Sequence, residues 1–180
     1  MNLTQEELRA LIDYDPSTGA FHRRTNHGGV WAGSVAGCLD PTTGYVRIRI
    51  RGKKYAAHRL AILYITGQAV PADLTVDHIN GDRADNRFEN LRTCTNAENS
   101  RNTKPHKDNP TGFKGIQERK GKWRAILGLN YKKVHLGSFS SKEAAAAAYD
   151  LAAVHHFENF ARPNSVAAVY QKQNFGPNLD

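Results

Sequence analysis

The chain has 180 residues, enough for one ordinary domain or two small ones, since domains commonly run to roughly 100–150 residues. Its formal net charge of +8 points to a polyanionic partner, nucleic acid first, because cations fixed near phosphates release condensed counterions. Two cysteines, Cys38 and Cys94, exclude a disulfide framework and a Cys-x-x-Cys zinc site. Met1 to Leu11 lacks the basic start and apolar run of a secretion signal, and no stretch approaches the ~20 apolar residues of a membrane span. The expectation is a soluble protein of a reducing, cytoplasmic compartment.

In chain order, Thr4-Gln5-Glu6-Glu7 has the capping-box spacing and leads into Leu8, Leu11 and Ile12, which predicts a short N-terminal helix. From Asp15-Pro16-Ser17-Thr18-Gly19 to Asp40-Pro41-Thr42-Thr43-Gly44, turn residues recur densely enough to predict a meander of short strands. Tyr45 to Arg51 alternates Val46, Ile48 and Ile50 with Tyr45, Arg47, Arg49 and Arg51, the period of a strand with one apolar and one cationic face. Gly52 then permits a turn flanked by Lys53 and Lys54, and Tyr55 to Gly67 reads as a helix built on Leu60, Ile62, Leu63 and Ile65. Between Tyr45 and Arg59 stand six Lys/Arg and no acid.

The polar stretch around 106–112 reads as a linker. Beyond it, Phe113 to Glu118, Lys122 to Leu127 and Lys133 to Phe139 are strand candidates. Ser140-Ser141-Lys142-Glu143 then opens a helix, by a capping-box pattern, that runs through Ala144 to Ala148 as far as Phe157. The fold class expected is α+β, with a first domain over 1–105, a second over 113–165 and a tail over 166–180.

The chemistry concentrates in Val76-Asp77-His78-Ile79-Asn80-Gly81, Asn90-Leu91-Arg92 and Asn99. An imidazole beside hard oxygen donors suits phosphodiester hydrolysis, which needs a base for water and a divalent cation to neutralise developing charge. Asp77 and Asn99 carry oxygens of the kind Mg²⁺ or Mn²⁺ accept. His78 supplies the base, since an imidazole with its ordinary pKa near ~6.5 is largely neutral at cellular pH. By themselves, Asp-His-x-Asn-Gly also describes a turn with a solvated histidine, and Asn99 also suits a helix cap or surface.

With His58-Arg59-Leu60 upstream, these elements resemble the His-Asn-His (HNH) endonucleases, in particular a phage and intron-encoded subgroup. The resemblance covers residues 45–105 and, more loosely, Tyr14-Asp15-Pro16 to Thr18-Gly19. It implies a ββα-metal (His-Me finger) core of two antiparallel strands and a helix gripping one ion. His78 would be the general base, Asp77 and Asn99 the metal ligands and Asn90 the residue that orients the base. Asn99 in place of a final His favours Mg²⁺, with Mn²⁺ as the alternative. His58 stays outside the catalytic set, as either a hydrogen-bonded structural histidine or a phosphate contact.

Arg47, Arg49, Arg51, Lys53 and Lys54 are the expected DNA contacts of the first domain. In the second, Gly121-Lys122-Trp123-Arg124-Ala125, His135-Leu136-Gly137-Ser138-Phe139 and Ala144 to Ala153, with Asn164, resemble the APETALA2/ethylene-response-factor DNA-binding domain. That resemblance implies a three-stranded antiparallel sheet reading the major groove, braced by one helix. Lys114, Gln117, Arg119, Arg124, Lys133 and His135 are the DNA-facing set, and Trp123 packs on the helix.

The combined expectation is a metal-dependent, homing-type endonuclease that nicks double-stranded DNA. It leaves 5′-phosphate and 3′-hydroxyl ends, acts as a monomer or weak dimer, and needs no protein partner. The alternative is a DNA-binding transcriptional regulator with a vestigial nuclease site. An RNA-directed nuclease fits less well, because the RNA major groove is too narrow for a sheet to enter.

Overall fold

The structure, a computed structural model, describes residues 3–26 and 29–164; the expected tail over 166–180 lies outside them. The chain forms two compact units, residues 1–99 and residues 100–180, so the division falls ahead of the stretch read as a linker. Both are mixed α and β, with four small sheets among the described residues. No described helix is long and apolar enough to cross a membrane.

In unit 1, α1 (Gln5–Leu11) starts on the expected capping box, Thr4 and Glu7 each satisfying the other's backbone N–H. Its Gln5 and Arg9 side chains donate to the Tyr64 carbonyl at 2.8 Å each, filling an acceptor left open at the end of the second helix. The hairpin β1 (Ile12–Tyr14) and β2 (Phe21–Arg23) follows. Its turn carries Gly19 at φ 75°, where a Cβ would stand 2.5 Å from the Arg87 amide nitrogen. Only glycine allows that approach. The approach matters, because Tyr14 Oη donates to the Asn86 carbonyl at 2.7 Å and the Phe88 amide donates to the Pro16 carbonyl at 3.0 Å. The N-terminal hairpin thereby clamps the loop that follows His78.

A three-stranded sheet comes next: β3 (Cys38–Leu39), β4 (Val46–Ile50) and β5 (Lys53–Ala56), all antiparallel. The expected helix over Tyr55–Gly67 is shorter by two residues at its start. Pairing with β4 holds Tyr55 and Ala56 in the sheet, and α2 (Ala57–Thr66) begins after them, closing at Gly67 in the left-handed region. Ile48 and Ile50 turn inward onto Leu8, Ile12, Leu60 and Leu63, each such side chain contributing about 1.5–3 kcal/mol by leaving water. The last hairpin, β6 (Thr75–His78) with β7 (Leu91–Cys94), leads into α3 (Asn96–Arg101).

Unit 2 is a meander of β8 (Ile116–Arg119), β9 (Lys122–Leu129) and β10 (Lys132–Phe139), with β9 central. The helix α4 (Lys142–Phe157) lies across one face. Its N-cap is Ser141, whose hydroxyl accepts from the Ala144 amide, one residue later than the expected box. Ile116, Ala125 and Leu127 meet Ala145, Ala146, Tyr149 and Ala153, with Trp123 half-buried beside them. Small alanines let the helix approach the sheet closely. Asp150, fully buried, accepts from the backbone and side-chain nitrogens of Asn164 at 2.6 and 2.9 Å, while Asn164 Oδ1 accepts from the Lys114 amide at 2.7 Å. Asn164 thus ties the end of the unit to its beginning.

Candidate active site

His78 closes β6 and is 4% exposed. Its ring stands edge-on to that of His58, centroids 5.2 Å apart, and Tyr45 packs on both at 4.9 Å from His58 and 5.8 Å from His78. Arg83 covers the open side of the Tyr45 ring at 5.0 Å and donates to the Thr43 carbonyl. Burial lowers the His78 pKa, against the pull of the neighbouring Asn86 side chain and of the Asp77, Asp85 and Asp82 carboxylates. His58 is pushed down to about 3, first by burial and then by His78, Arg59 and Arg47. Two neutral imidazoles therefore share one pocket at cellular pH. Among the described residues, His58 Nδ1 has no hydrogen-bond partner.

The loop after His78 is bound tightly to itself. Asn90 sits in a short 3₁₀ turn, Phe88–Asn90, just before β7. Its Nδ2 donates to the Asp85 carbonyl at 2.9 Å, its Oδ1 accepts from the Asn80 amide at 3.0 Å, and its carbonyl accepts from Ile79. Asn90 therefore fixes both ends of the loop that carries Asn86 to the His78 ring. Asp85 accepts from Asn80 and Arg87, and chiefly the Arg87 hydrogen bond holds its carboxyl down at about 2.

Asp77 faces away from His78 along the strand, as successive residues do. It is 4% exposed, and its Oδ2 accepts from Arg92 Nε at 2.8 Å and Nη2 at 2.6 Å. Asn99 lies half-buried in the last turns of α3, which a second capping box starts: the Thr95 amide and hydroxyl donate to Glu98, and the Glu98 amide donates to Thr95 Oγ1. Cys94 ends β7 opposite Thr75, and its buried thiol is pushed up to about 11, by burial first and by the Asp77 charge. Among the described residues no three His, Cys, Asp or Glu side chains gather as a metal-binding group.

The cationic residues separate. Arg49 lies opposite Lys54 and Arg47 opposite Ala56, so these cations share one face of the sheet with Tyr45. Arg47 stands close enough to lower the His58 pKa, so that face runs into the histidine pocket. Lys53 lies opposite Ile50, on the other face. Arg51 pairs with Glu7, and Arg59 donates to the Val70, Pro71 and Leu74 carbonyls. Those two cations already have partners within the chain, and Arg47 Nε stands 4.0 Å from Asp40 Oδ2.

In unit 2, Gln117, Arg119, Arg124, Lys133 and His135 fall on the face opposite α4, by the registers Gln117 with Arg124, Arg119 with Lys122 and His135 with Ile126. Arg124 Nε donates to His135 Nε2 at 3.1 Å. Lys114 is placed otherwise: it precedes β8, and its ammonium donates to the Arg101 and Arg162 carbonyls at 2.8 and 3.4 Å. Burial lowers its pKa.

Residue-type reasoning missed His58, Tyr45 and Asn86 as neighbours of His78. For His58 the signal lies in His58-Arg59-Leu60, at the start of an apolar helix that equally suits a structural histidine; nothing local marks Asn86.

Residues 55–101 match the family model described as HNH endonuclease. An uncharacterized HNH endonuclease of Acanthamoeba polyphaga mimivirus is 32% identical over 113 residues, which cover 63% of this chain and 59% of the viral protein. Two Arabidopsis thaliana proteins are similar over 53 residues, 29% of this chain. One, an AP2/ERF and B3 domain-containing transcription factor, is 43% identical over 15% of its length; the other, an ethylene-responsive transcription factor-like protein, is 40% identical over 24% of its length. The chain spans less than two thirds of each of these relatives. No solved structure matches. The family match and the viral relative together support a nuclease.

Proposed function

We propose that the chain is a metal-dependent DNA endonuclease, in which unit 1 hydrolyses a phosphodiester and unit 2 grips duplex DNA with the open face of its sheet. The observation that carries this reading is His78, a buried imidazole kept neutral by its surroundings at the centre of the HNH-matching segment. A neutral imidazole takes a proton from water at cellular pH, the first requirement of the hydrolysis. Asn90 holds the loop that follows that ring at both ends, so the base arrives already oriented. The face of Arg47, Arg49 and Lys54 leads a phosphate backbone toward it.

In this reading β6, β7 and α3 are the ββα-metal core. Asp77 and Asn99 would hold the ion, and they fit one: a carboxylate and an amide oxygen are hard donors that suit Mg²⁺ or Mn²⁺. Bound there, the ion supplies charge neutralisation at the phosphate. One such centre per chain implies nicking, with 5′-phosphate and 3′-hydroxyl ends and the targeted cleavage of a homing-type enzyme.

The test is a supercoiled plasmid incubated with Mg²⁺ or Mn²⁺. Wild type relaxes it and His78→Ala does not; a wild type that leaves the plasmid supercoiled with both ions overturns the reading. A second reading, a transcriptional regulator with a vestigial nuclease site, draws on the similarity to the plant factors. It predicts a gel shift with intact plasmid.

A further inference from the structure

Three of the antiparallel hairpins are closed by two-residue loops, between Ile50 and Lys53, Arg119 and Lys122, and Leu129 and Lys132. In each, both loop residues have positive φ: Arg51 47° and Gly52 78°, Lys120 53° and Gly121 71°, Asn130 49° and Tyr131 61°. These are type I′ turns, whose backbone twist matches that of the flanking strands and whose second central residue is ordinarily glycine. Two of the three obey. The third places Tyr131 there, and a bulky L-residue in the left-handed region is strained, because its Cβ crowds the following carbonyl.

Packing does not account for the tyrosine. Tyr131 is the most exposed of the large apolar side chains, more open than Trp31. Its ring touches no other ring and makes no hydrogen bond among the described residues. A strained residue that persists without internal support points to a role outside the fold. The neighbours indicate the partner: exposed Lys132 and Lys133 follow directly, and Lys133 begins the row that continues through His135 beside Arg124 and Gln117.

From these observations we infer that Tyr131 is a contact of unit 2 on the sugar–phosphate backbone of duplex DNA. The hairpin tip sets the ring against a sugar, and its hydroxyl donates to a phosphate oxygen beside Lys133 on the open face. Tyrosine hydroxyls are among the donors that position proteins on phosphates without reading sequence. The contact therefore adds affinity equally on all sequences. The inference rests on the reading of unit 2 as a DNA-binding sheet.

The experiment uses the full chain without divalent ions, so that no DNA is cut, and follows anisotropy of two labelled duplexes of unrelated sequence. Tyr131→Gly restores the residue the turn prefers, so its melting temperature rises above wild type. Its affinity falls about five- to tenfold on both duplexes alike, as loss of a phosphate contact requires. Stability and affinity moving in opposite directions is a signature that a merely structural role does not produce. The double variant Arg124→Ala with Lys133→Ala tests the underlying reading separately. Wild-type affinity in Tyr131→Gly, beside weakened binding in the double variant, overturns the role of Tyr131. Wild-type affinity in both shows that unit 2 is not the DNA-binding surface, and the inference falls with that reading.

Discussion

In unit 1 the polar side chains His58, Asp77, His78, Asn86 and Asn90 are buried, whereas Gln117, Arg119, Lys133 and His135 of unit 2 stand exposed on the open side of a sheet. Removing a polar group from water costs about 1–3 kcal/mol unless a partner replaces the water. Unit 1 accepts that cost for two imidazoles and suppresses their protonation in doing so. Unit 2 also buries a charge-bearing side chain, Asp150, but meets it with two nitrogens of Asn164. In the proposed reading, one unit arranges its interior for a reactive group, and the other arranges its interior for stability and keeps its exposed face for grip.

The sharpest way to break that division is to exchange its consequences. His78→Ala lowers plasmid nicking by about 10²–10⁴-fold, the usual contribution of a general base, and leaves DNA affinity near wild type. Arg124→Ala does the reverse: affinity falls, while the rate at saturating DNA is kept. If His78→Ala weakens binding as much as it slows nicking, the buried pocket is part of the grip and the contrast between the units is wrong.

The stabilising role of Asp150 gives the next effect. Asn164→Ala removes the side-chain donor from a fully buried carboxylate and the acceptor of the Lys114 amide, while the backbone donor stays, at a cost of about 1–3 kcal/mol. Chemical denaturation of the full chain then shows unit 2 melting earlier and unit 1 unchanged. Equal loss in both transitions would mean that the two units unfold as one.

What could be read in advance differs between the units for a physical reason. Alternation in β4, β9 and β10 and the Thr4–Glu7 box are local patterns, and each appears where its own residues dictate. Long-range contacts decide the departures. Tyr55 and Ala56 have helical neighbours, yet pairing with Ile48 and Arg47 keeps them extended. Lys114 has the composition of a DNA contact, yet carbonyls from Arg101 and Arg162 reach it first. His78 was visible from its motif, but the ring against it comes from His58, twenty positions earlier and on another element. Asn86 reaches its place because Gly19 lets a distant hairpin close over it.

Burial of His58 makes a pH prediction of smaller size. The unfolded imidazole takes up its proton near the ordinary value of 6.5, the folded one only at about 3. Between those values the unfolded state binds more protons, so stability is lost as pH falls below 6.5, at most by about 1.4 kcal/mol per pH unit for this group. His78, also held low, acts in the same sense. Denaturation midpoints measured from neutral to mildly acidic pH decline less steeply in His58→Gln than in wild type. An unchanged decline shows that His58 is not buried neutral.

The smallest effect divides the cationic ribbon itself. Arg49 stands exposed opposite Lys54 with no ion pair among the described residues, whereas Arg51 pairs with Glu7. Each phosphate neutralised by a free cation contributes about 0.9 to the slope of log affinity against log salt. Arg49→Ala therefore reduces that slope by about one, and Arg51→Ala reduces it by clearly less, because its charge is already compensated by Glu7. Titrations of a duplex at several salt concentrations separate the two variants. Equal reductions would mean that DNA displaces Glu7, and the ribbon would then present both arginines to the backbone when bound.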